Sequence, residues 1–242
     1  MSVYLRKLVL FCVAIGTLSQ GLAQNINITL AKQNIRLTYN QDVRLSQIFT
    51  DAYPYAKYEV YSLGIALINP DKQQLVDSKK ADILNRLKQL NTLEANNLVK
   101  QLSPLDFVYR EAVETNINKI RFFTRSNPLI KKDYTLLLPS RPDHIRLFNS
   151  ASDESLFIPL KTNYHLQNYL SELPDAKDKK QRKAWIIQAN KEFYLAEDIQ
   201  WKRTLYYLTP GAYVFIGLDN LPKQYSTLNA DVAELLTFYM EP

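Results

Sequence analysis

The stretch DYTLLLPSRPDHIRL at residues 133–147 contains two apolar runs separated by a turn that two prolines flank. The residue pattern at positions 134–138 and 144–149 predicts two β-strands. Pro139 and Pro142 bracket Ser140 and Arg141, which is a composition typical of a turn. Because proline restricts its own backbone and that of the residue before it, this turn is expected to orient the Arg141 side chain reproducibly.

A hairpin followed by a short helix and further strands occurs twice in the chain. The first unit begins with alternating runs at residues 27–30 and 35–39, and the second begins near His144. A small sheet needs a helix across it to cover its apolar face, and a hairpin with such a helix is half of a β-grasp unit. We therefore predict an α+β fold with two β-grasp domains, a helical-hairpin insertion and a C-terminal amphipathic helix. The predicted boundaries are residues 1–23 for a signal peptide, 24–130 for the first β-grasp domain with its insertion at about 71–102, 131–225 for the second β-grasp domain, and 226–242 for the C-terminal helix.

The predicted insertion is defined by a change of hydrophobic period. Between Gln73 and Leu102, apolar residues recur at steps of three and four, and Lys, Asn and Gln occupy the other face. This pattern predicts two amphipathic helices that break near Asn91 and Thr92. The hairpin is expected to pack on its own domain, and the alternative is a coiled helix that binds a partner.

A second apolar stripe lies in a helix predicted from Thr227 to Tyr239. Asp231 and Glu234 lie early in this helix, where the helix dipole favours acids. Docking on the protein's own sheet is the commoner fate of such a stripe, and presentation to a partner helix or a membrane is the other. We assign the stripe as a candidate partner-helix face, with the members Leu228, Val232, Leu235, Leu236 and Tyr239.

The N-terminal residues predict export. Arg6 and Lys7 precede an apolar run at residues 8–15, and a small-residue cleavage site ends at Ala23. These are the parts of a secretory signal peptide, and the apolar run is too short for a permanent span. Cleavage near Ala23 would also remove Cys12, which is the only cysteine, and no later apolar run is long enough for a stable membrane span.

The composition excludes several classes of site. With five Gly, one Cys and two His, the chain lacks the residues for a glycine-rich phosphate-binding loop, a zinc finger or an iron–sulfur site. We therefore predict no cofactor and no metal. The formal net charge of +6 is modest, and together with the signal peptide it disfavours nucleic acid as a partner.

Catalytic groups are sparse. Asp143 and His144 are adjacent, but there is no nucleophile elbow, and neighbouring residues of a strand point to opposite faces. We therefore predict no catalytic residue. The alternative that stays open is a hydrolase or lyase with paired carboxylates, because sequence spacing does not reveal the distance between two acids.

Three segments resemble the GfcC-like capsule biosynthesis family. Residues 133–147 resemble its segment D-x-L-x-x-P-x-R-P-x-x-V-x-V, and YSLGIAL at residues 61–67 is similar to the strand after its first grasp helix. GAYVFIGL at residues 211–218, followed by Leu228 and Leu235, resembles its closing strand and terminal helix. At the end the sequence departs from the family pattern, which has an Arg shortly before the last Pro, whereas residues 238–241 are FYME.

The resemblance implies a periplasmic protein with tandem β-grasp domains that takes part in the assembly or export of a capsular or O-antigen-like surface polysaccharide. It also implies a partner in the export machinery and no established enzymatic activity. The expected role is therefore that of a non-catalytic accessory protein, and the chain is expected to be a monomer. The second alternative, besides the carboxylate enzyme, is a general periplasmic scaffold without saccharide contact.

Arg141 is the main candidate for contact with the polysaccharide or a partner, and Tyr134 and Asp143 are assigned with it. A guanidinium held in place by a turn can bind a carboxylate or phosphate in bidentate fashion. The alternative is an Arg that ties the turn to a neighbouring strand.

Overall fold

A computed structural model describes residues 25–173, 183–199 and 204–241, so the predicted signal peptide lies outside the described residues. The chain has a mixed α+β fold, which confirms the predicted fold class. The strands are β1 (Ile26–Leu30), β2 (Ile35–Tyr39), β3 (Val43–Arg44), β4 (Ala66–Ile68), β5 (Leu129–Ile130), β6 (Tyr134–Leu137), β7 (His144–Asn149), β8 (Leu156–Pro159), β9 (Ala184–Ile187), β10 (Phe193–Ala196) and β11 (Tyr213–Ile216). The α-helices are α1 (Leu45–Ala52), α2 (Gln73–Leu90), α3 (Leu93–Leu102), α4 (Ile117–Phe122), α5 (Leu166–Ser171) and α6 (Leu228–Leu236).

The first sheet has the strand order β2-β1-β6-β4. Strands β1 and β6 are parallel, while β2 and β4 pair antiparallel on either side of them. Alternate residues of β1 are buried, as expected for a strand with one face on the core. Helix α1 covers that face and buries Leu45, Ile48 and Phe49 against it.

The position of β6 corrects the predicted domain boundary. Sequence analysis placed residues 134–138 in the second domain, but Ile28 of β1 is in register with Tyr134 of β6 in the first sheet. The pattern of a strand shows that it is apolar and does not show with which strand it pairs. The chain therefore leaves the first sheet after Leu137 and enters the second at His144, through residues 138–143.

The second sheet has the strand order β10-β9-β11-β7-β8, with β11 parallel to β7. A central parallel pair flanked by antiparallel hairpins is the β-grasp arrangement predicted for this part of the chain. Helix α5 covers one face, where Leu166 and Leu170 pack against Val214 and Ile216 of β11. All four residues of β11 are buried, because the other face is covered as well.

The helical insertion covers that other face. Helices α2 and α3 break at Asn91, whose φ of 50° is left-handed, and at Thr92, whose side chain accepts a hydrogen bond from the Ala95 N–H at 3.2 Å. This confirms the predicted break. The buried apolar residues of α2, α3 and α6 form one cluster with the sheet side chains Phe148, Ile187, Tyr213 and Phe215.

The insertion lies in the first unit of the chain but covers the sheet of the second unit. The expectation that the insertion packs on its own domain was therefore wrong. Hydrogen bonds also join α3 to the end of β7. The side-chain amide of Asn97 donates to the carbonyl of Ser150 at 3.1 Å, and that of Gln101 donates to the carbonyl of Asn149 at 2.9 Å. None of the helices in the described ranges combines the length and apolar composition needed to cross a bilayer.

Helix α2 allows a matched test of this docking. Leu87 is completely buried, while Leu75 of the same helix is 61% exposed. We expect Leu87→Ala to lower the free energy of unfolding by about 2–5 kcal/mol, because it leaves a cavity between the hairpin and the second sheet. Leu75→Ala should change it by less than about 0.5 kcal/mol. Urea denaturation measures both, and equal effects would contradict the docking of α2.

Candidate functional site

Residues 138–143 form the linker between the two sheets. Its two prolines pack against one glycine of each domain. A Cβ atom on Gly64 would lie 2.8 Å from Cγ of Pro139, and one on Gly211 would lie 2.8 Å from Cγ of Pro142. Both approaches are closer than a side chain tolerates, and Gly211 also has a φ of +73°. The turn that carries Arg141 is therefore held at both ends.

Arg141 itself points to solvent. Its side chain is exposed, and it makes no hydrogen bond or ion pair with any residue in the described ranges. Its charge acts on Tyr61 of the first domain. Burial raises the pKa of Tyr61, and the positive charge of Arg141 acts in the opposite direction. The guanidinium is thus placed by the backbone of the turn and not by a bond to a neighbouring strand.

Tyr134 does not join Arg141. It lies at the first residue of β6, whereas Arg141 follows the far end of that strand. Its neighbour is Lys132, whose Nζ lies 5.7 Å from the centre of the Tyr134 ring and donates to Asp71 at 2.8 Å. Burial raises the pKa of Tyr134. The structure therefore separates this predicted site residue from the linker.

Asp143 is close to Arg141 in sequence and points into solvent, with its side chain 99% exposed. Its Oδ1 lies 3.0 Å from Nδ1 of His144, and this hydrogen bond lowers the pKa of Asp143. The other ring nitrogen, Nε2, lies 3.0 Å from Oε2 of Glu241. Burial lowers the pKa of His144, but the two carboxylates outweigh it and raise the pKa above its usual value.

The residues after α6 bring Glu241 to His144. The Val108 N–H donates to the carbonyl of Phe238 at 2.9 Å, and Tyr239 forms an isolated β-bridge with Phe107. The helix therefore ends at Leu236, earlier than the predicted Tyr239, and the last residues run along the segment that follows α3.

Arg146 lies beside the same tail. Its Nε donates to Oγ of Ser155 at 3.0 Å, and its Nη1 donates to the hydroxyl of Tyr239 and lies 3.9 Å from Oε1 of Glu241. The guanidinium also stacks 4.6 Å from the centre of the Phe157 ring. The cation is thus bound on several sides and is positioned more firmly than Arg141.

Two further basic residues, Lys191 and Arg110, lie in the same region. Lys191 lies in the turn between β9 and β10 and has a φ of 70°. Its Nζ lies 4.4 Å from the centre of the Tyr213 ring and donates to the carbonyl of Tyr239 at 3.4 Å. Burial and the charge of Arg110 lower the pKa of Lys191 well below its usual value. Burial also lowers the pKa of Arg110 to about 10, and its Nη2 donates to the carbonyl of Ile65 at 3.0 Å.

We call Arg110, Lys191, Arg146, His144 and Glu241 the junction cluster. It draws side chains from the segment after α3, from the second sheet and from the C-terminal tail. Within it, Nε2 of His144 and Nη1 of Arg146 lie 3.0 and 3.9 Å from the Glu241 carboxylate, while burial lowers the pKa of Lys191 and so favours its neutral form. Sequence analysis did not assign Arg110, Lys191 or Arg146 to any site. A turn at Lys191 is readable from the sequence, but the direction of its side chain depends on contacts with distant strands.

The predicted partner-helix face is wrong. Leu228, Val232, Leu235 and Leu236 are completely buried and Tyr239 is 3% exposed, because all of them pack in the cluster that covers the second sheet. The stripe thus docks on the protein's own sheet, which is the fate that the sequence analysis gave as the commoner one. Periodicity shows that a helix has an apolar face and does not show what covers it.

The arrangement also bears on metal and acid–base chemistry. In residues 25–173, 183–199 and 204–241, no three His, Cys, Asp or Glu side chains are grouped so that they could hold a metal ion. Within the same ranges, the carboxyls whose pKa departs clearly from its ordinary value all have it lowered, because hydrogen-bond donors and cations outweigh burial. They are Glu111, Glu114, Asp143 and Glu172.

Comparison with known proteins now identifies the family. The profile described as "Capsule biosynthesis GfcC, N-terminal" matches residues 23–141, and "Capsule biosynthesis GfcC C-terminal" matches residues 154–240. The chain belongs to the GfcC capsule biosynthesis family. It is also similar to the uncharacterized protein YjbG of Escherichia coli (strain K12), with 24% identity over 144 residues. That alignment covers 59% of this chain and 58% of the relative.

Membership in the GfcC family connects the protein with capsule biosynthesis. The N-terminal match ends at residue 141, within the linker, and the C-terminal match begins at residue 154, between β7 and β8. The expected departure from the family pattern at the C-terminus has a structural counterpart. Glu241, which directly precedes the last Pro, supplies the carboxylate for His144 and Arg146.

The glycine contacts of the linker predict a stability effect. Gly211→Ala would place a methyl group against Pro142 in a left-handed conformation, so we expect the free energy of unfolding to fall by about 1–3 kcal/mol. Ser140→Ala, at an exposed position of the same turn, is the matched control and should leave it unchanged. Thermal unfolding of both variants measures the difference, and a Gly211→Ala protein as stable as the control would contradict the clamped linker.

The tail contact predicts a pH dependence. Since the pKa of His144 is raised in the folded protein, its contribution is complete below the unfolded value of about 6.5 and is lost as the pH rises through the folded pKa. Glu241→Gln removes one of the carboxylates that raise this pKa. We expect the loss of stability caused by Glu241→Gln to be larger at pH 6 than at pH 9, as measured by urea denaturation at each pH. The opposite order would show that the ion pair with His144 does not hold the tail.

Proposed function

We propose that the protein is a non-catalytic periplasmic accessory protein in the assembly or export of a capsular or O-antigen-like surface polysaccharide. In this role Arg141 contacts an acidic group of the polysaccharide or of the export machinery. The observation that carries the proposal is the exposed guanidinium of Arg141, which has no partner among the described residues and stands on a linker held by both domains. Membership in the GfcC family supports the connection with capsule.

The chemistry of Arg141 favours an anionic ligand. A planar guanidinium donates two parallel hydrogen bonds to a carboxylate or phosphate, and such groups occur in acidic sugars and in lipid-linked saccharides. Because the linker fixes the backbone, little backbone conformational entropy is lost when the ligand binds, and the loss falls on the Arg141 side chain.

The periplasmic location follows from the predicted signal peptide at residues 1–23, with cleavage near Ala23. Removal of that segment would leave a chain without cysteine, which suits an oxidising compartment.

A non-catalytic role is favoured over a polysaccharide hydrolase or lyase. Such an enzyme needs a carboxyl group with a raised pKa as general acid, in addition to a second carboxylate nearby. The four carboxyls with a clearly displaced pKa are all displaced downward. The general scaffold without saccharide contact gives Arg141 no ligand, so full function of Arg141→Ala would favour the scaffold.

We expect Arg141→Ala to abolish function while the melting temperature stays nearly unchanged, because the side chain is exposed and makes no bond that the fold needs. The test is complementation of a strain that lacks this chain, read as the long-chain surface polymer on a polysaccharide gel. Arg36→Ala is the matched control, since Arg36 is also exposed and lies on the edge strand β2. Arg141→Lys keeps the charge and should restore function only in part.

The outcomes separate the three roles. An unchanged polymer profile in the deletion strain would overturn the role in assembly or export. Full function of Arg141→Ala would favour the scaffold, and a large drop in its melting temperature would make the residue structural. Cleavage of the purified polysaccharide by the wild-type chain, lost on substitution of a single acid, would establish the enzyme instead.

A further inference from the structure

Two adjacent phenylalanines at the end of α4 are exposed. Phe122 is 82% exposed and Phe123 is 60% exposed. Neither ring contacts another aromatic ring or a cation within the described part of the chain. Single exposed apolar side chains are common on protein surfaces, whereas contiguous exposed apolar patches indicate sites of interaction with proteins, membranes or ligands.

The residues on either side of the pair are basic. Arg121 and Arg125 are both exposed, and neither forms a hydrogen bond or ion pair with any residue that the structure describes. Lys119 is 60% exposed and is 3.4 Å from Glu114, so it is only partly neutralised at the surface. The surface formed by Lys119, Arg121, Phe122, Phe123 and Arg125 is named the Phe–Arg patch.

The patch is built on an anchored element. Ile120 of α4 is completely buried in the core of the first domain, and Asn116 caps the helix by accepting hydrogen bonds from two backbone N–H groups at 3.0 and 3.3 Å. After the helix, the side chain of Asn127 accepts a hydrogen bond from the backbone N–H of Ser46 in α1 at 2.9 Å. The side-chain amide of Asn127 also donates to the hydroxyl oxygen of Ser46 at 3.0 Å. The two rings are therefore presented by fixed backbone.

We infer that the Phe–Arg patch binds the surface of a bilayer that contains anionic phospholipid. The chemistry of the patch matches both layers of such a surface. The rings of Phe122 and Phe123 can enter the region between headgroups and acyl chains, and the guanidinium groups of Arg121 and Arg125 can contact the phosphates. Charge complementarity selects the anionic bilayer over a neutral one.

This inference does not rest on the role of Arg141. The protein would lie on the membrane through its first domain, and the contact of Arg141 with its own ligand is a separate event. The two proposals can fail separately, because one predicts binding to lipid and the other predicts a polysaccharide phenotype.

The experiment measures whether the chain, purified in the form that the cell produces, floats with lipid vesicles. The vesicles consist of phosphatidylcholine alone or of phosphatidylcholine mixed with phosphatidylglycerol. We expect binding to the mixed vesicles and weaker binding to phosphatidylcholine. Phe122→Ser combined with Phe123→Ser should weaken binding to the mixed vesicles about tenfold or more, because both inserted rings are lost. Arg121→Gln combined with Arg125→Gln should weaken it about tenfold and remove the preference for phosphatidylglycerol.

The controls are chosen from exposed positions elsewhere. Leu93→Ser replaces a side chain that is 74% exposed at the start of α3, and Arg36→Gln removes an exposed charge on β2. Neither should alter vesicle binding. All variants share the N-terminus of the wild type, which is determined by mass spectrometry, so a difference between them reports on the patch. Unchanged melting temperatures confirm that each variant is folded.

Three results would overturn the inference. The first is equal binding of the wild type and the double phenylalanine variant. The second is wild-type binding that does not depend on phosphatidylglycerol. The third is a dimer that forms without lipid and disappears when Phe122 and Phe123 are replaced, as seen by sedimentation velocity, since the patch would then bind a second copy of the chain.

Discussion

The face of the second sheet that carries Phe148, Tyr213 and Phe215 has to be covered, because aromatic side chains of this size contribute much of the burial on which a small domain depends. Its cover comes from two distant parts of the chain. Helices α2 and α3 arrive from the insertion in the first domain, and α6 arrives from the C-terminus. This one layer of apolar contacts joins the two domains, and Arg86 of α2 adds an ion pair with Asp231 of α6 at 2.7 Å.

The same layer determines where the chain ends. With α6 docked, residues 237–241 run along the segment after α3, and Glu241 is brought to His144 and Arg146. The tail also passes Lys191, whose ammonium group reaches the carbonyl of Tyr239. Burial of several cations around one carboxylate costs desolvation free energy, and the lowered pKa values of Lys191 and Arg110 reflect that cost. The buried contacts of the junction cluster are therefore a consequence of how the domains are joined.

Two surfaces of different chemistry result. The linker presents a single guanidinium on a backbone that proline and glycine hold, which suits recognition of one anionic group. The Phe–Arg patch presents two rings and two free guanidinium groups, which suits a broad interface with lipid. A protein that lies on a membrane by one surface and contacts an acidic ligand by the other would fit a role beside a polysaccharide export system, as we propose for this member of the GfcC family.

The local features were predictable from the sequence alone. Alternation and helical periodicity located most of the strands and helices, Asn91 and Thr92 marked the break in the insertion, and the prolines around Arg141 predicted a defined turn. The tertiary structure decided the rest: which sheet received β6, which sheet the insertion covered, and that the stripe of α6 was buried. It also brought Arg110, Lys191 and Glu241 together, although they lie far apart in the chain. The physical reason is that a hydrophobic pattern specifies which face of an element avoids water, whereas the element that covers it is selected by shape and by contacts between residues distant in sequence.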